Sequence, residues 1–112
     1  MYVIDWSRRL VQFDIDKLKL SISKFLRVSR ENDLVDLNVI YRVVENSFEI
    51  LYSKATDGYI SMEELEETVE KCFMCCGLYK TAKLYIENSL LNKLKRKGVI
   101  ETIPETCNYI NP

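Results

Sequence analysis

The 112-residue sequence contains no histidine, three glycines and two prolines. Without histidine, the chain lacks the side chain that most often acts as a general base near neutral pH and as a metal ligand. A serine, threonine or cysteine nucleophile would therefore need an unusual partner. The glycines are isolated from one another, which excludes the glycine-rich Walker and dinucleotide-binding fingerprints. We predict that the chain is not an enzyme.

Long apolar runs and a strong net charge are also missing. No segment approaches the roughly 20 apolar residues of a membrane-spanning helix, and the N-terminus lacks the basic-then-apolar layout of a signal peptide. The 16 basic and 17 acidic residues nearly cancel, so no global charge draws the chain to nucleic acid or membrane. The four cysteines, without an export signal, indicate reduced thiols. These features predict a cytoplasmic protein that binds neither nucleic acid nor membranes.

The hydrophobic share of 47% and the length are typical of one folded domain, which we place at residues 1–98, with a C-terminal tail at 99–112. Charges nevertheless cluster locally. The acidic face of one predicted helix comprises Glu63, Glu64, Glu66, Glu67 and Glu70, and a basic patch near the end of the next comprises Lys93, Lys95, Arg96 and Lys97. We interpret both as solvated helix surfaces.

Residue patterns predict a mostly α fold with a small N-terminal β-hairpin, in the α+β class, with four helices. Two extended runs, at 1–6 and 9–13, flank Ser7-Arg8. The helices are predicted to begin after Asp14, at Asp36, after Ser61 and at about Tyr79, and the last to end near Lys97 and Gly98. Ser61 and Glu64 form a capping box pattern, and Gly77 predicts a left-handed helix end.

Apolar residues at helical spacing predict which helix faces are buried. The expected core residues, helix by helix, are Ile15, Leu18, Ile22, Phe25 and Leu26; Leu37, Ile40, Tyr41, Val44, Phe48 and Leu51; Leu65, Val69, Cys72, Phe73 and Cys76; and Ala82, Tyr85 and Ile86.

Two patterns are similar to metal sites. Cys72, Cys75, Cys76 and Cys107 could be counted as four zinc ligands, but the first three lie in a periodic helix, whereas zinc knuckles place cysteines on tight turns. Residues 56–65 are similar to the second half of a calcium-binding loop, but the first half lacks its carboxylates. We therefore predict no metal site.

Three segments resemble the ATP-cone, a nucleotide-binding regulatory domain. Residues 3–18 read Val-Ile-Asp-Trp-Ser-Arg-Arg-Leu-Val-Gln-Phe-Asp-Ile-Asp-Lys-Leu, which matches the family's hairpin and its Phe-Asp-x-x-Lys entry into the first helix. Ile60-Ser61 matches the start of the family's third helix, and residues 69–86, centred on Gly77, match its closing helix pair. The resemblance covers about residues 1–90. It implies binding of ATP or dATP, with Mg²⁺ as a candidate accompanying ion.

The resemblance also implies a mode of action. In ribonucleotide reductases with such a domain, nucleotide binding changes how subunits associate and thereby controls a distant catalytic domain. The expected partners are thus a nucleotide and either another protein or a second copy of the chain. A related class of repressors has a cysteine zinc ribbon ahead of the cone, but the cysteines of this sequence lie elsewhere. The chain would then be the sensor alone or the N-terminal piece of a reductase.

The hairpin departs from the family pattern. A Lys-Arg pair that helps hold the triphosphate is replaced by Asp5 and Trp6, and a carboxylate facing phosphate repels it. This departure supports an alternative hypothesis, in which a degenerate cone has lost nucleotide binding and serves as a protein-interaction module. That module would use the acidic face and the exposed end of the last helix.

The resemblance implies a set of candidate nucleotide-binding residues: Lys17, Arg8, Arg9, Trp6 and Asp14. Lys17 matches the family's lysine, at a helix N-terminus that favours anions. Arg8 and Arg9 would supply displaced cations, Trp6 would stack on a base, and Asp14 matches a polar residue that approaches the nucleotide. The residues by themselves also allow an exposed helix lysine at 17, a packing tryptophan at 6 and a simple N-cap at 14.

Overall fold

The computed structural model describes residues 1–30 and 37–96. These residues form three short strands and four helices, so the predicted mostly α, α+β fold is confirmed. The elements in chain order are β1 (Tyr2–Ile4), β2 (Leu10–Gln12), α1 (Ile15–Ser29), α2 (Leu37–Lys54), β3 (Tyr59–Ser61), α3 (Met62–Cys75) and α4 (Tyr79–Arg96). The predicted helix start at Asp36, the helix end at Lys97 and Gly98, the domain boundary at 98 and the tail lie outside the described residues.

The strands form one sheet in the order β2-β1-β3. β1 pairs antiparallel with β2, Val3 opposite Val11, which confirms the hairpin. β1 also pairs parallel with β3, Val3 opposite Ile60. The sequence did not predict β3, because three residues are too few for a periodic pattern and their partner β1 lies more than 50 residues earlier in the chain. β3 fixes the hairpin to the start of α3.

Two predicted helix starts are confirmed by their caps. Asp14 Oδ1 accepts hydrogen bonds from the backbone N–H groups of Asp16 (3.0 Å) and Lys17 (3.3 Å). Ser61 Oγ accepts the Glu64 N–H at 3.1 Å. Such caps pair N–H groups that have no partner inside the helix.

The connection between α3 and α4 reverses the chain at Gly77. Gly77 has a φ of 76°, in the left-handed region that favours glycine. The Leu78 N–H donates to the Phe73 carbonyl and the Gly77 N–H to the Met74 carbonyl, both at 2.9 Å. This pair of bonds is the Schellman motif, and Leu78 and Phe73 both pack in the core. The predicted stop is confirmed.

The core has two parts. The main core lies between the helices and includes Phe73 and Tyr85, whose rings pack edge to face with centroids 5.7 Å apart. A small cluster of Val3, Leu51 and Ile60 lies beneath the sheet. Phe13 and Leu65 contact both parts and join them. In addition, the buried hydroxyls of Ser29 and Thr81 hydrogen-bond at 2.7 Å between α1 and α4.

Three residues predicted to be buried are exposed: Ile15 (42%), Leu37 (64%) and Tyr41 (49%). Ile15 and Leu37 are the first residues of their described helices. Helical spacing predicts which face of a helix is buried, but it does not predict whether a neighbouring element extends far enough to cover the first turn. The Tyr41 ring lies beneath the Lys19 ammonium, 4.7 Å from the ring centroid, on the outer surface. Val43, which the pattern missed, is instead fully buried.

Candidate functional site

A cleft of about 530 Å³ opens between the hairpin, α1, α3 and α4. This volume lies within the roughly 300–1,000 Å³ of small-molecule sites. Its buried lining is largely apolar and comprises Val3, Leu18, Phe25, Tyr85 and Asn88; its exposed lining comprises Arg9, Val11, Gln12, Asp14 and Lys17. We call it the hairpin cleft. The interior is apolar, and the charged lining combines two cations, Arg9 and Lys17, with three carboxylates, Asp5, Asp14 and Glu66.

Asp5 lines the cleft and organises the hairpin turn. Its Oδ1 accepts the N–H groups of Ser7 and Arg9, each at 2.9 Å, and its Oδ2 pairs with Arg9 Nε at 3.2 Å. The bond from the Arg9 N–H is the main reason that the pKa of Asp5 lies below its usual value of 3.8; burial opposes this shift, and the Ser7 N–H adds to it. Asp5 therefore both folds the turn and neutralises part of the charge of Arg9.

Lys17 and Asp14 lie at the cleft where α1 begins. Lys17 is exposed, and its side chain is therefore available to an anion in the cleft. The helix N-terminus is less available than the sequence led us to expect, since Asp14 already accepts the N–H groups of Asp16 and Lys17. The attraction of this end of α1 for an anion thus depends chiefly on the Lys17 ammonium.

The α4 wall of the cleft carries a buried polar group that sequence reasoning missed. Asn88 is only 6% exposed, and its Oδ1 has no hydrogen-bond partner in the described part of the chain. Tyr85 also lines the cleft, and burial together with the Glu66 carboxylate raises the pKa of its hydroxyl. Asn88 follows Tyr85 by three residues and shares its helix face. A polar residue continuing an apolar stripe is the signal that could have identified it.

The structure brings three of the five candidate residues together. Arg9, Asp14 and Lys17 all line the hairpin cleft. Arg8 does not line it; it lies exposed in the hairpin turn with a φ of 62°. Trp6 also lies outside the cleft, where Lys93 Nζ is 5.2 Å from its ring centroid. The hairpin therefore presents Arg9 to the cleft and Trp6 to a different surface.

That surface is a second, smaller groove of about 220 Å³. We call it the Trp6 groove. It runs between the hairpin, α3 and α4, and its lining residues are Trp6, Glu63, Glu66, Glu67, Ile86, Ser89, Leu90 and Lys93. Glu66 and Ser89 line both the groove and the hairpin cleft.

The cysteines of α3 do not share one environment. Cys72 is buried and Cys76 half-buried, and burial raises the pKa of both thiols, whereas Cys75 is exposed. Within residues 1–30 and 37–96, no three His, Cys, Asp or Glu side chains are arranged to bind a metal. Cys107 lies outside the described residues. In the same ranges, no helix is long and apolar enough to span a bilayer.

The family model of the ATP cone domain matches residues 1–94. The chain belongs to the ATP-cone family. The resemblance inferred from the sequence is thereby confirmed, and with it the general class, a nucleotide-binding regulatory domain. No curated protein matches the chain. The match spans all four walls of the hairpin cleft, including the hairpin.

Proposed function

We propose that this ATP-cone domain binds an adenine nucleotide, ATP or dATP, in the hairpin cleft. The observation that carries the proposal is the buried Asn88, whose amide oxygen has no partner in the described protein. Leaving such an acceptor unpaired costs about 1–3 kcal/mol, and a ligand donor would recover that cost. Adenine offers an amino group beside a ring acceptor, a pair that a side-chain amide matches. With the base against Asn88, the phosphates would lie towards Lys17 and Arg9.

The charges of the cleft indicate how strongly it would hold phosphate. The cations Arg9 and Lys17 are accompanied by the carboxylates of Asp5, Asp14 and Glu66. Arg9 is paired with Asp5, so Lys17 is the main contact we assign to the phosphates. Mg²⁺ usually bridges phosphate oxygens and one or two carboxylates, which Asp14 or Glu66 would supply. We therefore expect nucleotide binding to be stronger with Mg²⁺ present.

The regulatory step we propose is control of protein association. A nucleotide shifts an assembly equilibrium only if it binds two states with different affinity. The hairpin cleft is formed by elements from both ends of the described chain, so a ligand there would contact the hairpin and α4 at once. We propose a cytoplasmic setting and a link to ribonucleotide reductase, on the basis of the family alone.

Calorimetric titration with ATP and dATP, with and without Mg²⁺, tests the binding proposal. We expect Asn88→Leu and Lys17→Gln each to weaken binding about tenfold, the loss of one well-made contact. Lys83→Gln, an exposed α4 lysine that does not line the cleft, is the matched control and should bind normally. Absence of both heat and a melting shift at millimolar nucleotide would refute the proposal, because a ligand that binds the native state stabilises it.

The second candidate function is a protein-interaction module without nucleotide binding. Its structural support is Trp6, which lies in the second groove, away from the hairpin cleft. If this candidate is correct, Lys17→Gln leaves partner binding unchanged. The calorimetric titration separates the two candidates, because only the first predicts nucleotide binding.

A further inference from the structure

The Trp6 groove combines apolar and acidic walls. Its apolar side consists of Trp6, Ile86 and Leu90, and the Leu90 side chain is 54% exposed. Glu63 and Glu67 add two exposed carboxylates from α3. Within the described part of the chain, neither takes part in an ion pair. A surface of this kind attracts a cation that also carries apolar groups.

Lys93 shows how the groove accommodates a cation. Its Nζ lies over the Trp6 ring, 5.2 Å from the centroid. An ammonium over a tryptophan face is attracted by the ring quadrupole, and at exposed sites this is a modest contribution. The chain's own lysine therefore occupies the position that an external lysine or arginine would take. The contact is weak enough to be exchanged for another cation.

We propose that the Trp6 groove binds a basic segment of a partner protein. A lysine or arginine of that segment replaces Lys93 over Trp6, and a second basic residue pairs with Glu63 or Glu67. An apolar side chain of the segment packs on Leu90. The occupant is a protein because the same carboxylates repel nucleic-acid phosphates and anionic lipid headgroups. The proposal does not depend on nucleotide binding, since Asn88 and Lys17 do not line the groove.

The test uses the full chain and an acetylated, amidated peptide of alternating arginine and leucine. Trp6 is the only tryptophan, so its fluorescence reports directly on the groove. We expect a saturable change on titration at moderate salt. Lys93→Met should tighten peptide binding about twofold to fivefold, because it removes the competing cation. An unchanged melting temperature for Lys93→Met would show that this gain does not come from misfolding.

Three further variants distinguish peptide binding in the Trp6 groove from general electrostatic attraction to the acidic surface of α3. Trp6→Leu, followed by NMR shifts of Leu90 and Ser89, should weaken binding by a similar factor, with melting used to check the fold. Glu63→Gln should weaken it, whereas Glu70→Gln makes the same charge change on α3 outside the groove and should have little effect. Equal losses for Glu63→Gln and Glu70→Gln, or a loss on Lys93→Met, would overturn the proposal.

Discussion

The Asp5 carboxylate connects the hairpin turn to the hairpin cleft. It accepts hydrogen bonds from two backbone N–H groups of the turn and pairs with the guanidinium of Arg9, which also lines the cleft. A lysine or asparagine at this position could not make the same set of bonds with a full negative charge. Asp5 therefore has a structural role in the turn, and its negative charge is already paired with Arg9 where it lines the cleft.

Acid should loosen this turn. Because folding lowers the pKa of Asp5 below 3.8, its contribution to stability is present above that value and is lost as the pH falls through the lower folded pKa. NMR between about pH 7 and about pH 2 should show the Ser7 and Arg9 N–H resonances shifting together with the Asp5 carboxyl carbon. Asp5→Asn should remove that coupled shift, while Asp57→Asn in a different turn should not. If the N–H resonances of Ser7 and Arg9 do not shift on acidification, this account is contradicted.

Residues of the cleft differ in how far the sequence could identify them. Asp14 and Lys17 belong to a local motif, a cap and the first turn of a helix, so their neighbourhood could be predicted. Arg8 and Arg9 are adjacent, and only the φ of 62° at Arg8 and the bonds of Asp5 decide which one lines the cleft. Asn88 depends on how α4 packs against α1 and the hairpin, which no local pattern specifies.

Gly77 lets α3 and α4 pack closely as an antiparallel pair. A Cβ added to Gly77 would meet nothing within 4 Å, so the constraint at this position is the backbone and not space. Gly77→Ala should therefore lower the free energy of unfolding by about 1–2 kcal/mol, the cost of a left-handed conformation. Gly77→Asn should cost less, since asparagine tolerates this region better. Urea denaturation measures both, and an equal loss for both variants would assign the effect to something other than φ.

The elements whose ends are marked by local residue patterns were predicted, and β3, which depends on a strand distant in sequence, was not. Asp14, Ser61 and Gly77 mark helix ends by local hydrogen bonding, and the hairpin strands face each other across a short turn. β3 becomes a strand only because β1, more than 50 residues earlier, pairs with it. The burial errors at Leu37 and Tyr41 have a similar origin, because neighbouring elements decide which edge of a helix is covered.

At the scale of the whole molecule, the sheet and the helices are joined through few residues. The small cluster beneath the sheet contains Val3, Leu51 and Ile60, and Phe13 and Leu65 link it to the main core. The hairpin is a wall of the cleft, so the position of that wall depends on this cluster. A ligand that contacts both the hairpin and α4 would stabilise the packing of the sheet against the helices. Ligand binding could in this way change the surface that the hairpin and α4 present to a partner.

Weakening the small cluster should therefore release the hairpin before the helices. Ile60 is 1% exposed, and Ile60→Ala should cost about 2–5 kcal/mol, as for other large-to-small core changes. In native-state hydrogen exchange, we expect the Tyr2 and Phe13 N–H groups, bonded to the Gly58 and Met1 carbonyls, to lose protection. The Ala82 N–H, bonded to the Leu78 carbonyl in the main core, should lose much less.

Ile50→Ala is the matched control for this experiment, because Ile50 is 39% exposed on α2 and should cost little. If Ile60→Ala lowers the protection of the hairpin and α4 amides by the same factor, the two parts unfold as one unit. In that case the hairpin cannot move separately from the helices. A nucleotide in the cleft would then have to act through the rigid surface that the hairpin and α4 share, which includes the Trp6–Lys93 contact.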